Sequence, residues 1–140
     1  MGWRDVLAPA LRYDKYVALW PFDGQLDGLL QPGKIVIAET YPAECYRWFF
    51  SEPLIGKGKL EVRRRIGAHL LSCAINRGVE LTAALREEIE AGFPEGDDAF
   101  DAVVGLFGMI EVVTGKRQTG EPHDDRTRKA EGWILGQSVT

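Results

Sequence analysis

The sequence predicts an α/β fold: a short, mostly parallel sheet with several helices packed on it. One observation is the unbroken apolar run Ile35-Val36-Ile37-Ala38 after a Pro32-Gly33 turn, which reads as a strand covered on both faces. Another is Tyr16-Val17-Ala18-Leu19-Trp20, a second stretch rich in β-formers. The third is a change of period after Leu60, where apolar residues recur at helical spacing. With 140 residues, the chain is long enough for one domain with its own core, so 1–140 is expected to be a single α/β domain.

Composition narrows the function classes. Hydrophobic residues at 45% and charged residues at 27% are those of a globular protein. A net charge of −4 argues against the whole chain wrapping a polyanion, while leaving room for a local basic patch. Cys45 and Cys73 match no metal or redox spacing and sit among apolar neighbours, as reduced core thiols do. No run of apolar residues is long enough to span a membrane, and Met1–Asp5 breaks early into charge without a secretory core. A cytoplasmic location with no membrane partner is the expectation.

In order along the chain, Val6, Leu7, Ala10 and Leu11 suggest a short helix interrupted by Pro9. The strand at 16–20 leaves through the turn Pro21-Phe22-Asp23-Gly24. Leu26, Leu29 and Leu30 fit one helical turn, and the strand at 35–40 follows. Pro42 suits the first turn of a helix reaching Phe49. Residues 51–59 form a loop punctuated by Pro53, Gly56 and Gly58. Val62, Ile66, Leu70, Cys73 and Ala74 then line one helix face, with Gly78 at its C-cap. Leu81, Leu85 and Ile89 stripe the next helix, ended by Gly92 and Pro94. Asp97 caps a helix over 98–114 whose apolar residues cover nearly its whole circumference, the mark of a buried helix. Its Gly105 and Gly108 each cost about 1 kcal/mol of helix propensity, which close backbone approach would justify. Lys116 to Ala130 is polar and reads as a loop, before a last ordered piece, Glu131-Gly132-Trp133-Ile134-Leu135.

Three carboxylates have apolar neighbours. Glu39 stands at the carboxyl end of the apolar strand, where open α/β sheets place their ligands. Asp98 and Asp101 lie on one face of the first turn of the apolar helix. Acids there also complement the helix dipole without further function. Converging carboxylates need a cation, and oxygen ligands alone favour Mg²⁺ or Mn²⁺, ions that commonly serve phosphoryl transfer.

Four segments, Leu19-Trp20-Pro21-Phe22-Asp23-Gly24, Val36 to Glu44 around Glu39-Thr40-Tyr41-Pro42, Asp98-Ala99-Phe100-Asp101-Ala102 and Glu131-Gly132-Trp133-Ile134, together resemble a bacterial domain-of-unknown-function family described as predicted RNase H-like nucleases. The resemblance covers about residues 15–135, and Glu-Thr-Tyr-Pro is its most specific part. It implies a partial RNase H-like architecture with Glu39, Asp98 and Asp101 as catalytic metal ligands for Mg²⁺ or Mn²⁺. The chain departs from that pattern in having no hydrophobic strand with an aspartate before Tyr16. It is therefore expected to correspond to the C-terminal half of such a domain: a fragment, one half completed by a partner, or an incomplete site. An exposed sheet edge then favours a homo-oligomer or a partner supplying the missing strands.

Lys57, Lys59, Arg63, Arg64 and Arg65 cluster on a Gly-rich loop entering a helix. Lys57, Lys59, Arg63 and Arg64 are the candidate nucleic-acid contacts, with a solvated helix start as the plainer account. Cations are mildly unfavourable at a helix N-terminus, which tips the balance toward function. Two functions are thus expected: a metal-dependent, RNase H-like phosphodiester hydrolase, or a non-catalytic binding or assembly module, dimeric, that keeps the fold without a full site.

Overall fold

Proline, glycine and capping residues cut the chain into short elements, and the apolar pattern of each decides what it packs against. The computed structural model describes residues 5, 7–50, 56–122, 124–130 and 132–137. Among them, α1 spans Ala8–Tyr13, β1 Val17–Leu19, α2 Leu26–Leu29, β2 Ile35–Ile37 and α3 Pro42–Phe49. Beyond these, α4 spans Leu60–Arg77, α5 Ala83–Ala91, α6 Asp98–Val113 and α7 Asp125–Ala130. The architecture is mixed α/β, with a two-stranded parallel sheet in the register Val17↔Ile35, Ala18↔Val36, Leu19↔Ile37. Two compact units result: Met1–Thr40 with Glu111–Thr140, and Tyr41–Ile110. Among the described residues, no helix is long and apolar enough to cross a membrane.

In the first unit, Pro9 does not interrupt α1 as expected; it occupies the first turn, where its missing N–H costs nothing. β1 and β2 are the two expected strands, trimmed at their ends. The expectation that β2 is covered on both faces is corrected: Ile35 is 60% exposed. A sheet of two strands offers too little area for helices to roof both faces. Beyond β1, the ladder on the same side of β2 continues through a parallel bridge between Glu39 and Ile134, with Leu135 N–H donating to Glu39 C=O at 2.9 Å. Trp20 and Leu26 are buried here, and Glu121 ties them together. Its Oε1 accepts from Trp20 Nε1 at 3.1 Å and from the Leu26 N–H at 2.8 Å. The stretch Lys116 to Ala130 is not all loop, because α7 forms within it without burying any residue. Local chemistry suffices: Asp124 accepts from the Thr127 N–H at 2.8 Å, and Lys129 lies 3.5 Å from Asp125 one turn away.

The second unit is helical. Cys45 and Tyr46 of α3, Ile66, Leu70 and Ala74 of α4, Ile89 of α5, Phe93, and Phe100, Val103, Val104 and Phe107 of α6 form one buried cluster. Cys45 is fully buried, and neither cysteine forms a disulfide. The α4 stripe is as expected, and Gly78 closes the helix in the left-handed conformation at φ +65°. α5 starts at Ala83 because the Thr82 hydroxyl accepts from the Leu85 N–H at 3.2 Å. α6 is less completely covered than its composition suggests, since Leu106 is 49% exposed. Gly108 does mark a close approach: a Cβ there would collide with Cys45 Sγ of α3. Gly67 does the same for α4, where a Cβ would overlap the Ile89 carbonyl of α5.

Candidate functional site

The second unit assembles a polar cluster around Asp101. α3 carries Tyr46, only 4% exposed, with its ring stacked on Phe100 at 5.9 Å between centroids. From that position its hydroxyl donates to Asp101 Oδ1 in the first turn of α6. The other carboxylate oxygen accepts from the Lys57 ammonium. Lys57 Nζ also stands 3.7 Å from the Asp97 carboxylate and 5.9 Å from the Tyr46 ring centroid, a cation–π contact. Both oxygens of Asp101 are therefore engaged by donors.

Electrostatics fix the protons of this cluster. Burial, followed by the hydrogen bond to Asp101, pushes the Tyr46 phenol above its ordinary range. The hydrogen bond to Asp101 raises Lys57, outweighing the opposing effect of its burial. At neutral pH Tyr46 is thus a neutral donor and Lys57 a cation, so neither serves as a general base. The cluster is built to hold a carboxylate in place.

Arg63 braces it from behind. The side chain is 4% exposed, and each terminal group of its guanidinium meets a main-chain carbonyl: Nε to Gly92 at 2.8 Å, Nη1 to Lys57 at 2.9 Å and Nη2 to Phe93 at 3.0 Å. Arg64 Nε donates to the Ala91 carbonyl at 3.1 Å. The carbonyls of Ala91, Gly92 and Phe93 lie at the C-terminal end of α5, the negative pole of its dipole, where cations are favoured. Phe93 adopts φ +52°, a costly conformation for a bulky residue, and Arg63 fixes it. One side chain thereby holds both the corner leading to α6 and the turn that carries Lys57.

The residues singled out from sequence are distributed as follows. Asp101 is central and Asp97 joins it through Lys57, while Asp98 is exposed. Glu39 is exposed and belongs to the first unit, whereas Asp98 and Asp101 belong to the second. Among the described residues, no group of three or more His, Cys, Asp or Glu side chains is arranged to hold a metal ion. The donor set fits Mg²⁺ or Mn²⁺ poorly, since a divalent ion at Asp101 would stand beside the Lys57 ammonium, whose positive charge opposes it. Of the basic candidates, Lys59 and Arg64 are exposed, Lys57 is paired with acids and Arg63 is turned inward. Tyr46 escaped sequence reasoning because its partner lies 55 residues away and nothing local marks it.

Compared with protein-family models, with curated proteins and with solved structures, the chain matches none.

Proposed function

We propose that this chain is a non-catalytic binding or assembly module with an α/β fold related to that of metal-dependent nucleases. One observation carries this reading: Asp101, the acid such chemistry would need, has its two oxygens taken by Tyr46 and Lys57. Lys57 is the cluster's own counter-ion. A catalytic metal at Asp101 would have to share the carboxylate with that ammonium, against like-charge repulsion.

A second reading, an RNase H-like hydrolase using Mg²⁺ or Mn²⁺ at Glu39, Asp98 and Asp101, is favoured by a different observation. Two of the segments that carry the resemblance, around Glu39 and around Ile134, are joined in one parallel bridge. Lys57, Lys59, Arg63 and Arg64 would then be judged as contacts to a phosphate backbone.

Calorimetric titration with Mn²⁺ separates the two. For the module, wild-type protein binds Mn²⁺ no more tightly than about 1 mM, the range of weak carboxylate sites. Micromolar binding that is lost in both Glu39→Gln and Asp101→Asn, together with Mn²⁺-dependent cleavage of nucleic acid, would establish the hydrolase and overturn the module.

A further inference from the structure

The two outer edges of the small sheet are finished differently. On β1, three outward groups are occupied from within: Val17 N–H donates to Asp14 C=O at 3.1 Å, Leu19 N–H to Asp23 Oδ2 at 2.6 Å, and Asp23 N–H to Leu19 C=O at 2.9 Å. This is the protection that edge strands need against pairing with other chains. Among the described residues, β2 has less such cover. Ile35 N–H donates to Tyr16 C=O, Ile37 C=O accepts from Trp20 N–H, and Glu39 C=O accepts from Leu135 N–H, so the odd-numbered residues bond toward β1 and Ile134. Strand alternation then directs the even-numbered groups the other way. Among the described residues, no hydrogen bond reaches Val36 N–H or C=O, Ala38 N–H or Lys34 C=O; Lys34 N–H alone on this edge is used, by Gln31 C=O.

We infer that the β2 edge is a docking surface for a second copy of this chain, paired antiparallel about a two-fold axis at Val36. This rests on reading the chain as an assembly module and names its partner. The pattern of open groups is self-complementary in that register. Val36 N–H and C=O exchange bonds with their own equivalents, and Ala38 N–H meets Lys34 C=O of the other copy in both directions. The consumed Lys34 N–H leaves only Ala38 C=O over. Side chains agree: Ile35, 60% exposed, falls opposite Ile37 of the other copy. Lys34 falls opposite Ala38, and Glu39 opposite Gly33, so no like charges meet. A slip of the axis toward Ala38 would set Glu39 against Ile35 and lose the Lys34 bonds. Parallel pairing of the same two edges would place the copies in unequal registers, whereas the two-fold keeps them equivalent.

Sedimentation equilibrium on the full chain tests this, with Val36→Pro and Ile35→Lys as variants. Proline at 36 removes only an outward N–H and suits an extended edge. Lysine at the exposed position 35 leaves the fold of the single chain intact and sets a charge on the edge. So short an edge makes a weak dimer, with a dissociation constant of roughly 0.01–1 mM expected for wild type. Each variant should weaken it at least tenfold, and amide exchange at Val36 should slow with protein concentration in wild type only. A wild type that stays monomeric throughout that range, or a dimer that both variants leave intact, overturns the inference. Mn²⁺ titration of the same samples judges the module reading separately, since tight metal binding would sink that reading whatever the state of the edge.

Discussion

The engagement of Asp101 can be measured by a double-mutant cycle of Lys57→Met and Asp101→Asn. Asparagine keeps an acceptor for the Tyr46 hydroxyl but then turns its NH₂ toward the Lys57 ammonium, and methionine keeps the apolar stem of the lysine. Hydrogen bonds to charged groups contribute about 1.5–3 kcal/mol. The Lys57 side chain is 37% exposed and that of Asp101 26%, so water screens the pair, and exposed pairs reach only about 0.2–1 kcal/mol. A coupling energy of about 1 kcal/mol is therefore expected from urea unfolding at pH 7. The pH dependence follows from the two raised groups. Both Tyr46 and Lys57 have folded-state values above their ordinary ones, so their stabilisation is fully present below about pH 10 and lost as pH rises through the folded values. The gap in stability between wild type and Asp101→Asn should thus narrow above about pH 10. A coupling below about 0.3 kcal/mol, or a gap that widens in alkali, would refute the account of this cluster.

Other outcomes follow from the packing. Arg63→Met orphans the carbonyls of Lys57, Gly92 and Phe93 and should cost about 3 kcal/mol in urea unfolding, with Arg63→Lys recovering less than half because an ammonium lacks the fork. Gly108→Ala should cost about 1–3 kcal/mol by forcing α6 from α3, and adding Cys45→Ala, which removes the obstructing sulfur, should restore part of the loss in thermal melts. Glu121→Ala strips the partner from Trp20 Nε1 and the Leu26 N–H, for a loss of about 1–3 kcal/mol. An unshifted Trp20 fluorescence maximum in that variant would count against the contact.

Local signals made the helices legible. Pro42 starts α3, Gly78 and Gly92 end α4 and α5 in left-handed conformations, and the apolar stripe of α4 repeats over its length. The strands were legible too, because β-branched runs between turn residues have few other uses. What failed was anything set by distant partners. The exposure of β2 depends on how many strands join the sheet, which no run of residues states. α7 was missed because its stability comes from a cap and charge pairs rather than an apolar stripe. At the site, Asp101 was found from its unusual position within an apolar helix. Tyr46 was hidden, and the inward turn of Arg63 was invisible in a row of three arginines. Burial and three main-chain carbonyl partners, all set by the fold, distinguish that arginine from its neighbours.

The bonds of Glu121 have a bearing on how the chain reaches its final state. They join residues 101 and 95 positions apart, and the Glu39–Ile134 bridge spans a comparable stretch. The second unit, by contrast, is continuous from Tyr41 to Ile110 and rich in helices whose contacts are local. During synthesis its residues emerge before residues 111–140, so it can fold while β1 and β2 still wait for Glu121 and Leu135. Closing so long a loop carries an entropy cost that grows only slowly with length, but it delays the closure. In that interval Trp20 and Leu26 lack their late partner Glu121, and a chaperone or a neighbouring nascent chain can meet the β2 edge before the rest of its own unit exists.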